Sequence, residues 1–245
     1  MNAPSIVVGV DGSPAAVRAA MWAIDEALSR DIPLRLVAIA EPGEPEAEAA
    51  SAVRAAAAAV DAADRGVRVQ TEVVSGAPTL TLLEASRTAA MICIGAVGLR
   101  HFGSHRIGST PAALVASAHC PVAVVCGQRT PAGSVLVVLD GSSADATVLQ
   151  SAVAQARLRS VPLRVLGTAE PGGTRTDSSR SHWRQRYPDL DVAPVAGRMH
   201  DYLSDHAART QLVVTGARNT GAVTQLLSRG DSAYSVLVVD PQRLL

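Results

Sequence analysis

The chain alternates short apolar runs, rich in β-branched residues, with longer segments whose apolar positions recur at helical spacing. Strands that are apolar on both faces and separated by helices are typical of right-handed βαβ units in a parallel sheet. The pattern therefore predicts a doubly wound α/β fold, in which ligands bind beyond the carboxyl ends of the strands. In the first half it predicts strands at SIVVGV, PLRLVAIA, VRVQTEVV, MICIG and PVAVVC, and helices over about 14–29, 46–64, 78–89 and 110–118.

The second half repeats the first. When Asp11 is aligned with Asp140, 14 of 33 positions are identical without a gap, including DGS, PLR and AEPG. The match resumes where MICIGA aligns with LVVTGA, after a register change in the middle. A polar Pro/Gly turn, QRTPAG, separates the halves. We predict two repeated, five-stranded Rossmann-like domains, over residues 1–131 and 132–245.

Charge and composition exclude several classes of function. The 22 basic residues are all arginine and balance 22 acidic ones, which argues against a nucleic-acid partner. Without lysine the chain has no GxxxxGK[ST] loop and no Schiff-base residue. No apolar stretch approaches the ~18 residues that a membrane span needs, and MNAPSIVVGVDGS lacks the features of a signal peptide. We expect a cytoplasmic protein that does not enter membranes, with its three cysteines serving as small buried residues.

The glycine-rich, basic stretch GAVGLRHFGSHRIGST, residues 95–110, lies between a predicted strand and a predicted helix. Backbone N–H groups of Gly108, Ser109 and Thr110 would point out of the helix N-terminus, where the helix dipole favours an anion. The two hydroxyl groups would add donors to a phosphate. In the alternative interpretation, Ser109 or Thr110 caps the helix and the glycines only form turns.

The spacing of this stretch resembles a known nucleotide motif. Gly95, two residues, Gly98, nine residues and Gly108-Ser109 match the G-x2-G-x9-G-[ST] pattern of universal stress proteins, and DGS and HCPVAVV resemble the same family. The resemblance implies ATP, with Mg²⁺, as cofactor. It also implies that the last strands of the two halves pair as an internal pseudo-dimer, to which an intermolecular homodimer can be added. The implied site comprises Gly9, Asp11 and the backbone at Ile39 near the nucleoside, and Gly95, Gly98, Gly108 and Ser109 at the phosphates. From the residues themselves, Thr110 adds a hydroxyl donor, and Arg100, His101, His105 and Arg106 in the spacer could supply positive charge to the β and γ phosphates; in the alternative interpretation these four lie in a solvated loop.

Two features depart from the family pattern. Ala96 and Val97 stand where the family often carries polar or basic side chains. In the second half Asn219 and Arg229 replace glycines, and the carboxylate of Asp231 follows Gly230. Because only six residues separate Gly230 from Val236, we expect the helix of the anion site to be largely missing there and no ATP to bind.

Three hypotheses for the function follow. The first is an ATP-binding regulator or sensor whose nucleotide state alters its interaction with a protein partner; cyclic AMP or another adenine nucleotide remains open as the ligand. The second is a slow ATP hydrolase, although the motif offers no evident general base, and Asp11, a candidate cap of the first helix, is expected at the nucleoside end. The third is a structural or partner-binding protein with both sites vacant.

Overall fold

Helices cover both faces of a single mixed sheet in the computed structural model, which describes residues 4–43, 45–98, 108–126, 133–167, 183–227 and 233–240. The strands are β1 (Ile6–Val10), β2 (Leu34–Ala40), β3 (Val69–Ser75), β4 (Met91–Gly95), β5 (Val122–Val125), β6 (Ser134–Val138), β7 (Leu163–Leu166), β8 (Val192–Val195), β9 (Thr210–Gly216) and β10 (Ser235–Val239). The described helices are α1 (Pro14–Ser29), α2 (Glu46–Ala62), α3 (Pro78–Ala85), α4 (Ser109–Ser117), α5 (Asp145–Arg159), α6 (183–186), α7 (Met199–His206) and α8 (Thr220–Leu227), with 3₁₀ turns at Ala207–Arg209 and Ala217–Asn219.

The ten strands follow the order β3-β2-β1-β4-β5-β10-β9-β6-β7-β8. All neighbours within each half are parallel, whereas β5 and β10 pair antiparallel, with Val124 opposite Val236 and Ala123 opposite Leu237. This confirms the predicted fold of two five-stranded units joined as a pseudo-dimer through their last strands. The proposed boundary near residue 132 lies outside the described residues and stays a prediction.

Each face of the sheet has its own apolar core. On one face α1, α2 and α5 pack against the strands, and α1 does so through buried alanines that let the helix approach closely. On the other face Leu82 of α3, Leu114 of α4, Leu203 of α7 and Val223 of α8 form the second core. Because α1 and α4 leave neighbouring strands toward opposite faces, the topological switch point of the first half lies between β1 and β4 at their carboxyl ends.

Predicted helix ends differ from the observed ones by more than one residue in two places. The second helix ends at Ala62, where the chain turns through Asp64 with φ 49°, and the third ends at Ala85 rather than residue 89. Ser86 explains the earlier end of α3, because its hydroxyl donates to the Leu83 carbonyl and accepts from the backbone N–H of His119 at 3.0 Å. The Ser86 side chain thus connects the end of α3 to the residues that follow α4.

The three cysteines are free thiols; Cys93 and Cys120 are buried and Cys126 is partly buried. Desolvation by burial raises the pKa of Cys93 well above its usual range and raises the pKa of Cys120 and Cys126 to about 12. The thiols therefore stay protonated in the folded chain where exposed thiols ionise.

We predict that stability falls as the pH rises from about 9 to 12, because the unfolded state releases thiol protons that the folded state retains. Each buried thiol contributes a slope of at most about 1.4 kcal/mol per pH unit to the free energy of unfolding. Urea unfolding at pH 8, 9, 10 and 11 measures the slope. The Cys120→Ala variant should show a shallower slope than the unmodified chain, and equal slopes would contradict the prediction.

Candidate functional site

The carboxyl ends of three neighbouring strands bring several predicted site residues to one edge of the sheet. Asp11 directly follows β1, Ile39 is the penultimate residue of β2, and Gly95 ends β4, with β1 between the other two. Ile39 packs against the second core with its side chain, which leaves its backbone as the group that a ligand could meet. This edge coincides with the topological switch point between β1 and β4.

Asp11 is exposed and organises the turn from β1 into α1. Its Oδ1 accepts from the backbone N–H of Ser13 at 2.9 Å, and the Ser13 hydroxyl accepts from the N–H of Ala16 at 3.1 Å as the N-cap of α1. The suggestion that Asp11 itself caps the helix is therefore wrong, because Ser13 does so. The turn thus fixes the Asp11 carboxylate at the carboxyl end of β1.

Gly98 lies directly beside this carboxylate. A Cβ built on Gly98 would stand 2.6 Å from Oδ2 of Asp11, which is closer than a carbon and an oxygen approach without displacement. The second glycine of the motif is thus next to the aspartate that follows β1. A side chain at position 98 would move the Asp11 carboxylate.

Gly95 and Gly9 have a packing role in the fold. A Cβ on Gly95 would meet the backbone of Ala15 at 2.7 to 2.9 Å, so the glycine is what lets α1 cross the end of β4. A Cβ on Gly9 would meet the side chain of Leu82 from α3 at 3.0 Å. Contact of either glycine with a nucleotide remains a prediction.

The β4–α4 connection is closed at its base. The N–H of Gly108 donates to the carbonyl of Ala96 at 3.0 Å, and the N–H of Ala96 donates to Val125 at 3.1 Å. The expectation that the Gly108 N–H points at a ligand is therefore wrong, since this N–H is hydrogen-bonded to Ala96. Ala96 is buried in the second core and Val97 packs against it, which accounts for their apolar character where the family often carries polar or basic side chains.

The N-terminus of α4 has no side-chain cap. Gly108 is the N-cap residue, so neither Ser109 nor Thr110 caps the helix, and the capping interpretation is wrong. Ser109 is exposed, and the Thr110 hydroxyl shares a 3.0 Å hydrogen bond with the hydroxyl of Thr79 from α3. As the first two helical residues, Ser109 and Thr110 have N–H groups without an intrahelical acceptor, at the positive end of the helix dipole.

Arg100, His101, His105 and Arg106 lie outside the described residues, so their predicted contribution of positive charge stays a prediction. Within the described ranges, no three His, Cys, Asp or Glu side chains gather as a metal site would require. None of the described helices is long and apolar enough to cross a membrane.

The corresponding edge of the second half is built differently. The turn after β6 repeats the first half, since Oδ1 of Asp140 accepts from the N–H of Ser142 at 3.0 Å, and hydrogen bonding to Ser142 lowers the pKa of Asp140. However, the Asp145 carboxylate accepts from the N–H groups of Asp140 at 3.1 Å and of Gly141 at 3.0 Å. The N–H groups of Asp140 and Gly141 are therefore already hydrogen-bonded within the protein. The repeat aligns Asp145 with Ala16, so the sequence places a carboxylate in the second half where the first half has a methyl group. This difference could have indicated that the two turns are built differently.

The helix expected to be missing from the second half is present. α8 spans Thr220–Leu227 and packs in the second core, but it starts soon after β9, with only the 3₁₀ turn Ala217–Asn219 between them. The connection that corresponds to residues 96–108 is thus what the second half has lost. Asn219, at the position of the second glycine, donates from Nδ2 to the Thr215 hydroxyl at 2.9 Å. Arg229, Gly230 and Asp231 lie outside the described residues.

The tandem doubly wound fold, with one motif-bearing edge, defines a class of α/β protein, and comparisons with known proteins place it further. Residues 3–125 match the model of the universal stress protein family. Universal stress protein Rv2028c of Mycobacterium tuberculosis is 42% identical over 272 aligned positions, covering 98% of each chain. The chain belongs to the universal stress protein family.

A solved structure agrees with the fold over nearly the whole chain. A universal stress protein from Archaeoglobus fulgidus superposes with a TM-score of 0.72 at 16% identity, over 96% of both chains. A universal stress protein solved in complex with cAMP covers 50% of this chain and 95% of its own, at 27% identity and a TM-score of 0.41.

Two alanine substitutions should separate a packing glycine from a site glycine. We expect Gly95→Ala to lower the free energy of unfolding by about 2–3 kcal/mol, because its Cβ meets backbone that cannot move away. We expect Gly98→Ala to leave the free energy of unfolding within about 0.5 kcal/mol, because the Asp11 side chain can rotate away from the new methyl group. Urea unfolding measures both, and equal losses would contradict the assignment.

Proposed function

We propose that the first half of this universal stress protein binds ATP, with Mg²⁺ carried on the phosphates, at the topological switch point between β1 and β4. Asp11 and the backbone at Ile39 face the nucleoside, while Gly98, the N-terminus of α4 and Ser109 receive the phosphates. The protein acts as a cytoplasmic regulator or sensor whose interaction with a protein partner depends on the bound nucleotide. Its three free thiols favour a reducing compartment.

One observation carries the proposal: the motif residues converge on an uncapped helix N-terminus. Gly108, the N-cap of α4, is hydrogen-bonded to Ala96, and two residues beyond Ala96 the backbone of Gly98 lies against the Asp11 carboxylate. A hydrogen-bond acceptor for the nucleoside and N–H donors for a phosphate are thus linked through one short segment. The apolar wall beside them, Ala96 and Val97, offers no competing charge.

The second half supports a stoichiometry of one nucleotide per chain. Its turn after β6 directs two backbone donors at Asp145, and its β9–α8 connection is too short to surround a triphosphate. A phosphate would also meet the negative charge of Asp145, which costs about 1 kcal/mol or more at the effective dielectric of a surface cleft. We propose that this half is a structural partner of the first.

The direct test is mass spectrometry of small molecules released by acid from freshly purified protein, followed by calorimetric titration with ATP·Mg²⁺ and, separately, with cAMP. We expect one adenine nucleotide per chain and Gly98→Ala to weaken binding tenfold or more, about 1.4 kcal/mol. Gly221→Ala is the matched control, since a Cβ there meets nothing within 4 Å. Binding of cAMP in place of ATP would change the ligand assigned, and no binding of either would leave a nucleotide-free, partner-binding protein.

A charge substitution at Ser109 should move binding and stability in opposite directions. Ser109→Asp places a negative charge at the positive end of α4, so it should stabilise the folded chain by about 0.3–1 kcal/mol. The same charge should repel a triphosphate and weaken ATP binding at least tenfold. Ser109→Asn is the neutral control for both measurements. Unchanged affinity in Ser109→Asp would exclude the N-terminus of α4 as the phosphate site.

A further inference from the structure

A buried polar cluster joins the two halves on the face of the sheet that carries α1 and α5. It consists of Trp22 and Glu26 from α1 and Gln155 and Arg159 from α5, and we call it the interdomain cluster. The side chains of Glu26 and Arg159 are only 1% and 3% exposed. Charged groups are seldom buried to this degree unless each has a partner.

Every charge in the interdomain cluster has a partner from the opposite half. Oε1 of Glu26 lies 3.2 Å from Nη2 of Arg159, and Oε2 accepts from Nε2 of Gln155 at 3.0 Å. Arg159 also donates to Oε1 of Gln155, and its guanidinium stacks on the Trp22 ring at 4.6 Å from the centroid. Arg30 of the first half lies next to the interdomain cluster, with its Nη2 3.2 Å from Oε2 of Glu26.

The repeat shows that these residues occupy equivalent positions. The offset that aligns Asp11 with Asp140 also aligns Glu26 with Gln155 and Arg30 with Arg159. The pseudo-two-fold relation between the halves therefore brings one sequence position face to face with itself, and this position differs in the two halves. One half supplies a carboxylate, and the other supplies an uncharged amide of almost the same shape.

Pairing of like halves would lose this complementarity. Two first halves would set one Glu26 carboxylate against another in place of the 3.0 Å amide–carboxylate bond; the Arg30 side chain of each half would offset part of this repulsion, but no amide N–H would stand between the two carboxylates. Two second halves would bury two Arg159 guanidinium groups against two Gln155 side chains with no carboxylate in the cluster. Only the pairing of unlike halves gives one carboxylate, one amide donor and a satisfied buried arginine.

We propose that the interdomain cluster selects the partner of each half: the opposite half of a chain fits, and the same half of a second copy is rejected. The backbone hydrogen bonds of the β5–β10 ladder do not make this distinction, because they are the same for any apolar strand. The inference is independent of nucleotide binding. A homodimer of this protein would accordingly form through another surface.

A reciprocal exchange in the full-length chain tests the proposal. Glu26→Gln leaves Arg159 without a carboxylate, and Gln155→Glu sets two carboxylates together, so each should lower the Tm by roughly 10 °C. The double variant Glu26→Gln with Gln155→Glu recreates the complementary pair in mirror image, with Arg159 and Arg30 again beside one carboxylate. We expect it to recover more than half of the loss. A Tm of the double variant as low as the summed losses, or failure of the double variant to fold, would overturn the proposal.

The mass of the protein in solution provides a readout that a merely structural role would not change. Either single substitution makes the position alike in both halves, so discrimination between like and unlike pairing is lost. Because the two halves of one chain are covalently linked, light scattering after gel filtration should show a heavier species whose fraction grows with protein concentration in each single variant, and the original mass at every concentration in the double variant. Unchanged masses in both single variants would overturn the proposal whatever their melting temperatures.

Discussion

The antiparallel pairing of β5 with β10 is the constraint on which the rest of the molecule depends. Without it, each half would expose a short, apolar strand edge that could pair with another chain. Because this one pairing is antiparallel and every other is parallel, the strands of the two halves point in opposite directions. The carboxyl ends of the strands therefore lie at opposite ends of the sheet in the two halves. Each half must accordingly build a ligand site from its own residues. The same relation sets α1 against α5 and creates the buried cluster between them.

The candidate site shows how residues that hold the fold can also prepare a surface for a ligand. Gly95 lets α1 cross the end of β4, and Gly108 pins the loop to Ala96 with its own N–H. The N-terminus of α4 has no side-chain cap, and the Asp11 carboxylate lies beside Gly98, at the start of the connection that leads to α4. In the second half a single carboxylate, Asp145, satisfies the corresponding turn internally. The two halves thus differ at this edge through few side chains, of which Asp145 is the one that bonds to the backbone of the turn.

Much of this could be predicted from the sequence, because local patterns encode it. The strands of the first half follow from their apolar runs, and the repeat and the G-x2-G-x9-G-S spacing indicate two related units and one motif. Contacts between distant segments were not predictable in this way. The bond from Gly108 to Ala96, the early end of α3 at Ser86 and the start of α8 at Thr220 all depend on tertiary packing. The loss of a loop was mistaken for the loss of a helix because spacing was counted from Gly230 and not from the end of β9.

The central claim is that nucleotide binds at one edge of the first half and nowhere in the second. Hydrogen–deuterium exchange with and without ATP·Mg²⁺ tests it most directly, because it reports on both edges of the same chain at once. We expect slower exchange in peptides that contain residues 9–13, 95–98 and 108–112, and unchanged exchange at 140–145 and 216–221. Equal slowing at both edges, or none at either, would contradict the claim.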